Sequence, residues 1–201
     1  EIVKNLIRDN KKIRYFKENV VGYSAPRNRG WKEAKGDLVA YIDDDEIASC
    51  EWLTRILQAF LSDDTPDVVG GRYLLKYDAN PPEWFDDGME IVDFGAQKGI
   101  INGKKNFYAF AGGNIAFKKD ALKKLDGFSD LFNVRDGKLM MGEDSEICKR
   151  AVELGLKLYY DPNIVIFHRM GERNYDIGWR IERARKKGES VRLIFGDKNC
   201  L

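Results

Sequence analysis

Three consecutive aspartates directly follow a short apolar run, in the sequence DLVAYIDDDE at residues 37–46. The run predicts a strand covered on both faces of a parallel sheet, and ligands of open α/β sheets bind at the carboxyl ends of strands. Clustered carboxylates repel one another unless a cation compensates. Oxygen ligands suit Mg²⁺ or Mn²⁺ bound together with substrate phosphates. We therefore predict a divalent metal site at residues 43–46; the alternative is that these acids only cap and charge the start of the next helix.

Helices and strands alternate along the chain, which indicates an α/β fold. The predicted helices cover residues 1–9, 25–34, 49–62, 118–125, 143–154 and 177–187. The predicted strands cover residues 13–16, 38–42, 68–77, 107–117, 158–160 and 164–167. Between them, residues 79–105 are rich in loop-forming residues, and so long an irregular segment often serves as a lid or binding loop.

Composition excludes several classes of protein. The 201 residues contain 34 Lys and Arg against 33 Asp and Glu, a balance that does not favour nucleic acid as a partner. The apolar runs are far shorter than the roughly 18 residues of a membrane-spanning helix. Cys50, Cys148 and Cys200 are widely spaced and odd in number, which argues against a disulfide framework or a zinc site and favours the cytoplasm. The first residues read as the middle of a helix, so we expect a chain that is cut at its start.

Three segments carry motifs that occur together in one known family. Residues 24–46 read SAPRNRGWKEAKGDLVAYIDDDE, residues 112–117 read GGNIAF, and residues 142–147 read GEDSEI. In this order they resemble the Asn-x-Gly, Ala-x-Gly-Asp and Asp-x-Asp region, the glycine-rich strand and the Glu-Asp motif of family 2 glycosyltransferases, which have the GT-A fold. The resemblance covers nearly the whole chain, from residue 1 to about residue 187.

The resemblance implies a fold class and a domain organisation. It implies an α/β, Rossmann-like GT-A fold with a mixed, mainly parallel sheet flanked by helices, from which the first strands, those that grip the nucleobase, are missing. We expect a single glycosyltransferase domain at residues 1–190, with a nucleotide and metal half at 1–77 and an acceptor half at 78–176. A basic C-terminal helix and tail would occupy residues 177–201.

The resemblance also assigns a metal and its ligands. Asp43 and Asp45 would form the Asp-x-Asp pair that meets Mg²⁺ or Mn²⁺ and the donor diphosphate, and Asp44 would lie near the nucleotide ribose. His168, directly after the predicted strand at 164–167, would complete the coordination. The alternative for His168 is a partly solvated strand end, since histidine also titrates freely.

Further residues are expected at the donor nucleotide. Arg27 and Asn28 match positions where the family approaches the nucleotide; alternatively, they form a solvated helix start. Gly112 and Gly113 remove side chains where backbone must approach a ligand closely, and Asn114 would offer a fixed donor and acceptor. A plain β-bulge is the competing account of the glycines.

Asp144 matches the catalytic base of the family, and we count Glu143 beside it as catalytic. An inverting transfer needs one carboxylate to accept the proton of the acceptor hydroxyl. The alternative is that both acids only favour the first turn of a helix. The implied function is metal-dependent, inverting transfer of a sugar from a nucleoside diphosphate sugar to the hydroxyl of a glycan, lipid or polysaccharide precursor. The alternatives are a nucleotidyltransferase and a catalytically impaired carbohydrate- or nucleotide-binding module.

Two surface features remain. Trp84 and Phe85 could stack on a sugar face, although exposed loop aromatics more often pack locally. Residues 169–192 are rich in Lys and Arg and could draw in diphosphate or lipid phosphate groups, which would place a cytoplasmic protein at the inner membrane face. A solvated basic helix is the alternative.

Overall fold

A computed structural model describes residues 2–103, 109–135 and 137–196. The α-helices are α1 (Ile2–Asp9), α2 (Ser24–Glu33), α3 (Trp52–Phe60), α4 (Lys119–Lys124), α5 (Glu143–Glu153) and α6 (Ile177–Phe195). The strands are β1 (Leu38–Tyr41), β2 (Glu46–Ala48), β3 (Val68–Tyr77), β4 (Gly99–Ile100), β5 (Ile115–Lys118), β6 (Val134–Arg135), β7 (Lys138–Leu139) and β8 (Leu158–Met170). Short 3₁₀ turns lie at Asp87–Met89, Asp130–Phe132 and Glu172–Tyr175. None of the helices in these residues is long and apolar enough to cross a membrane.

The main sheet is mixed and flanked by helices, as predicted. Its strand order is β1-β5-β3-β8-β2, with β4 also paired to β8, while β6 and β7 form a separate hairpin. Within the described residues only β3 and β8 run parallel, and the other pairs are antiparallel. The expectation of a mainly parallel sheet was therefore wrong for this part of the chain, because β5 runs against β1 and β3, and β2 and β4 run against β8.

β1 differs most from its prediction. Among the described strands it pairs only with β5, and the pairing is antiparallel. Val39 is buried but Ala40 is exposed, so the strand is not covered on both faces. A continuous apolar run does not reveal how many neighbours a strand has, which is why the sequence suggested an interior position.

Other predicted elements change in length or state. Residues 13–16 form no strand; Phe16 is half exposed, and the guanidinium groups of Arg14 and Arg29 each lie 5.3 Å from the centre of its ring. The strands predicted at 158–160 and 164–167 are one strand, β8, whose pairing with β3 shifts between Gly71 and Arg72. In the segment predicted as a strand at 107–117, only β5 is a strand, and residues 107–108 lie outside the described residues. So do Cys200 and the tail beyond residue 196.

Two hydrophobic clusters cover the two faces of the sheet. Consecutive residues of a strand belong to alternate clusters, because their side chains point to opposite faces of the sheet. Val68 and Phe117 belong to the cluster under α4 and α5, whereas Val69 and Ala116 belong to the cluster under α3. The sheet thus separates α3 from α5.

α3 buries only part of its apolar surface. The sequence carries pairs of adjacent apolar residues at helical spacing, and the structure buries the first residue of each pair (Trp52, Ile56, Phe60) and leaves the second (Leu53, Leu57, Leu61) exposed. Ile56 is 4% exposed, whereas Leu53 is 67% exposed. The spacing gives the period of a helix but not the width of the surface that it covers.

This orientation of α3 predicts a sharp contrast between two similar substitutions. Ile56→Ala should lower the free energy of unfolding by about 2–5 kcal/mol, because it leaves a cavity in the core. Leu53→Ala should change it by less than about 0.5 kcal/mol. Urea unfolding of both variants measures the difference, and equal losses would contradict the orientation described here.

Candidate active site

Arg27 lies at the centre of the candidate site. It is buried on α2, where its guanidinium pairs with Glu143 at the start of α5 and donates from Nη2 to the two carboxylate oxygens of Asp43 at 3.0 and 3.1 Å. Burial alone would lower the pKa of Arg27, but the charges of Glu143, Asp43 and Asp144 outweigh it and raise the pKa. One charged side chain thus joins the acidic run after β1 to the acidic start of α5.

Asn28, the neighbour of Arg27, has a role within the fold. Its Nδ2 donates to the carbonyl of Phe128 at 2.8 Å, and its Oδ1 accepts from the amide of Phe128 at 2.8 Å and from Trp31 Nε1 at 3.2 Å. These bonds hold the turn that ends in Phe128 against α2. The side chain of Asn28 thus stabilises the fold, and its contact with the nucleotide stays a prediction.

The acidic run forms a closed turn between β1 and β2. The amide of Asp43 donates to Glu46 Oε2 at 2.8 Å, and the amide of Glu46 donates to the carbonyl of Asp43 at 3.3 Å. Asp44 and Asp45 are exposed at the tip of this turn. The fourth acid of the run therefore shapes the turn that presents the aspartates.

Glu46 is the last residue of the predicted metal site at 43–46, and it is half-buried. Its Oε1 is buried and has no hydrogen-bond partner among the described residues. Burial raises the pKa of Glu46 to about 7, and the charges of Asp43 and Asp45 act in the same direction. The sequence places Glu46 in the acidic run but carries no signal for the burial of its carboxylate.

Asp45 and His168 meet across the pairing of β2 with β8. Glu46 is opposite His168 in the register, and the amide of Arg169 donates to the carbonyl of Asp45 at 2.9 Å. His168 Nε2 lies 3.3 Å from Asp45 Oδ2, and its Nδ1 is buried without a partner in the described part of the chain. The structure therefore brings together two of the three predicted metal ligands, while Asp43 is held by Arg27.

These side chains fit a divalent ion that takes its other ligands from a substrate. Across residues 2–103, 109–135 and 137–196, no group of three His, Cys, Asp or Glu side chains is gathered closely enough to hold a metal. Carboxylate and imidazole are nonetheless suitable ligands for Mn²⁺, and Mg²⁺ is commonly held by one or two carboxylates plus phosphate and water. Asp45 and His168 could supply that protein share.

The two glycines before β5 make room for side chains of the site. A Cβ added at Gly112 would lie 2.6 Å from Arg27 Nη2, and one added at Gly113 would lie 2.0 Å from both carboxylate oxygens of Glu46. The sequence predicts that these glycines allow the backbone to approach a ligand. In this structure they allow the backbone to approach Arg27 and Glu46.

Asn114, directly before β5, is fully buried and joins β3 and β8 to α3. Its Oδ1 accepts from Trp52 Nε1 at 2.7 Å, and its Nδ2 donates to the carbonyls of Arg72 at 2.8 Å and Ile164 at 3.1 Å. Each polar atom of the amide is thus paired within the fold. The predicted role of the Asn114 side chain in binding the donor does not fit this environment.

Glu143 and Asp144 occupy different environments at the start of α5. Glu143 is buried against Arg27; burial raises its pKa, the charge of Asp144 acts in the same direction, and Arg27 lowers it. Asp144 is only half buried, and its Oδ1 accepts from the amide and the hydroxyl of Ser145 at 2.6 and 3.2 Å. Of the two predicted catalytic acids, Asp144 is accessible to a substrate, whereas Glu143 is paired and holds Arg27.

The basic C-terminal helix turns part of its charge inward. Arg180 and Arg183 both pair with the buried carboxylate of Glu90, and Arg180 also lies over the ring of Phe85, 4.9 Å from its centre. Phe85 is therefore packed locally, which is the alternative given above to stacking on a sugar. The ion pairs leave less of the charge of α6 available to an anionic surface than its sequence suggests.

Glu46 predicts a dependence of stability on pH. The folded chain keeps the proton of Glu46 up to about pH 7, whereas the unfolded chain releases it near pH 4.5, so the proton count is higher in the folded state and stability falls as pH rises between these values. Glu46→Gln removes this loss. The variant should be more stable than the parent by about 1–2 kcal/mol at pH 8 and equally stable at pH 4.

Urea unfolding in EDTA at both pH values measures this difference. Glu51→Gln is the control, because Glu51 is an exposed acid that follows β2 in the sequence. A Glu46→Gln variant that gains nothing at pH 8 would contradict the raised pKa.

The chain is similar to a named glycosyltransferase and to a protein of succinoglycan biosynthesis. It is 24% identical over 174 residues to the glucosyl-dolichyl phosphate glucuronosyltransferase of Haloferax volcanii, covering 86% of this chain and 56% of that protein. It is 25% identical over 180 residues to the succinoglycan biosynthesis protein ExoM of Rhizobium meliloti, covering 87% of this chain and 53% of that protein. The chain thus spans about half the length of these relatives.

A solved structure shares the fold. The mannosyltransferase PcManGT from Pyrobaculum calidifontis, in complex with GDP-Man and Mn²⁺, matches 97% of this chain and 50% of its own chain, with a TM-score of 0.61 and 17% identity. The fold is therefore of the GT-A type. The model of the family described as glycosyl transferase family 2 matches residues 1–126 of the 201. Because this match covers more than half of the sequence, the chain belongs to glycosyl transferase family 2.

Proposed function

We propose that this chain is the catalytic part of an enzyme that transfers a sugar from a nucleoside diphosphate donor to a hydroxyl acceptor, with inversion and with a divalent metal. The observation that carries the proposal is the meeting of two acidic motifs at one buried arginine. Arg27 contacts Asp43, which belongs to the acidic run, and Glu143, which precedes the proposed base Asp144. The donor end and the acceptor end of a transfer reaction would then lie next to each other.

Two further observations support the donor and the metal. The structural neighbour PcManGT is described in complex with GDP-Man and Mn²⁺, and Asp45 and His168 of this chain are within 3.3 Å of each other. When bound there, a divalent ion would offset the negative charge of the departing diphosphate. The side chains of Asp45 and His168 would hold it, and Asp43 and Asp44 would lie beside the donor.

Asp144 would act as the general base. One of its oxygens is fixed by Ser145, which leaves the carboxylate oriented in the first turn of α5. It would accept the proton of the acceptor hydroxyl while the hydroxyl oxygen forms a bond to the anomeric carbon and the bond from that carbon to the diphosphate breaks. A single base on one side of the sugar gives inversion of the anomeric centre.

Metal-dependent binding of nucleotides tests the donor side. With Mn²⁺ and GDP or UDP at about 100 times Kd, the melting temperature should rise by about 5–10 °C. Asp45→Ala should abolish the rise, because it removes one of the two protein ligands. Asp63→Ala, a change to an exposed acid outside the site, is the control and should keep it. No shift with UDP, GDP, dTDP or CDP would contradict donor binding by this chain.

Replacement of the base tests the chemistry. Asp144→Asn should lower kcat for hydrolysis of a sugar nucleotide by about 10²–10⁴-fold, equivalent to roughly 3–5 kcal/mol, and should leave the Mn²⁺ and nucleotide melting shift unchanged. The assay uses a panel of UDP-, GDP-, dTDP- and CDP-sugars, with Asp120→Asn on the exposed face of α4 as the control. Full activity of Asp144→Asn would mean that another group is the base.

The products separate the remaining alternatives. Release of a free sugar and a nucleoside diphosphate indicates a glycosyltransferase, whereas release of pyrophosphate from a nucleoside triphosphate and a sugar phosphate indicates a nucleotidyltransferase. Binding of nucleotide without turnover of any donor indicates a binding module. Retention of the anomeric configuration, observed by NMR, would contradict the mechanism with one base.

A further inference from the structure

Ser190 is the one buried residue among the described side chains of α6. It is 2% exposed, and its hydroxyl contacts the carbonyl of Met141 and lies 2.9 Å from the carbonyl of Lys186 within the same helix. A serine in a helix usually bonds only to a carbonyl one turn back. Here the hydroxyl also reaches the residue that precedes the Gly142-Glu143-Asp144 motif.

The start of α5 depends on contacts from outside the helix. Gly142 is its N-cap residue, and a glycine has no side chain with which to cap the first amides. Gly142 adopts a φ of +99°, and a Cβ at this position would lie 3.0 Å from the Cβ of Ser190 and 3.2 Å from Cδ1 of Ile194. The close approach of α6 therefore fits a glycine and fixes where α5 begins.

α6 is itself held at its other end. Asp176 caps it by accepting from the amide of Trp179 at 2.6 Å. Arg180 and Arg183 pair with the buried Glu90, which belongs to the segment between β3 and β4. A helix that is fixed in this way can transmit its position to the residues that contact its second half.

We propose that Ser190 is a positioning residue for catalysis: its contact with Met141 holds the first turn of α5, and with it the carboxylate of Asp144, in the orientation needed to accept the acceptor proton. The inference rests on the assignment of Asp144 as the base under the proposed function. The side chain of Ser190 does not need to touch a substrate, because it acts through Met141 and Gly142.

Hydrogen exchange tests the mechanical link without any substrate. The amide of Glu146 donates to the carbonyl of Gly142 at 2.9 Å in the first turn of α5, and the amide of Leu154 donates to the carbonyl of Arg150 at 2.9 Å at its end. Ser190→Ala should speed exchange at Glu146 by about 3- to 10-fold, the effect of one lost hydrogen bond, and leave Leu154 unchanged. Arg185→Ala, on the exposed face of α6, should change neither.

A double-mutant cycle tests the link to catalysis. The substrate is the sugar nucleotide of the panel that the parent chain hydrolyses. Ser190→Ala should lower kcat for its hydrolysis by about 3- to 10-fold with KM unchanged, and Arg185→Ala should leave both constants unchanged. In the Asp144→Asn background, Ser190→Ala should have no further effect, because contributions that act through one group are not additive. A merely structural role for Ser190 would lower the rate equally in both backgrounds.

The outcomes are distinguishable. An additive loss in the Asp144→Asn background, or unchanged exchange at Glu146, would overturn the role of Ser190 and leave the proposed function intact. Full activity of Asp144→Asn alone would overturn the assignment of the base and, with it, the role of Ser190. Faster exchange at Glu146 together with a non-additive loss of kcat would support both.

Discussion

A buried guanidinium paired with two carboxylates from distant parts of the chain is the interaction on which the site depends. The two pairs differ in their exposure. The side chains of Arg27 and Glu143 are 9% and 8% exposed, whereas that of Asp43 is 46% exposed. Removal of one partner from a buried pair costs about 3–5 kcal/mol, because it leaves a charge without compensation, while an exposed pair contributes about 1 kcal/mol or less. Loss of the pair with Glu143 would therefore cost more than loss of the pair with Asp43.

The strand register also helps to bring the site residues together. Because Glu46 on β2 is opposite His168 on β8, the turn that carries the aspartates is brought next to the imidazole. A slip of one residue would turn every side chain of β2 to the other face of the sheet. Gly113 contributes to the same arrangement, since any side chain there would overlap the carboxylate of Glu46. The positions of the acidic side chains thus depend on the close approach of the backbone at Gly113 as well as on the strand register.

Apolar periodicity predicted the helices and β3, because it reports local structure directly, and the family resemblance implied the mixed sheet. Neither could show contacts that depend on distant neighbours. Asn28 and Asn114 occur in motifs and look available, yet each satisfies backbone groups that only the fold brings near. For Glu46, the sequence shows its place in the acidic run, whereas the burial of its carboxylate comes from the fold. On α3, helical spacing alone could not separate the exposed Leu53 from the buried Ile56.

The position of β1 has a consequence for handling this chain in the laboratory. In the described part of the molecule one side of β1 is bonded to β5, and the backbone groups on its other side have no strand opposite them. Such an edge can template pairing with another polypeptide, and concentrated samples are then prone to self-association. The aspartates that follow β1 oppose such pairing at one end of this edge, because like charges from two molecules would repel there. Raising the salt concentration would weaken that protection.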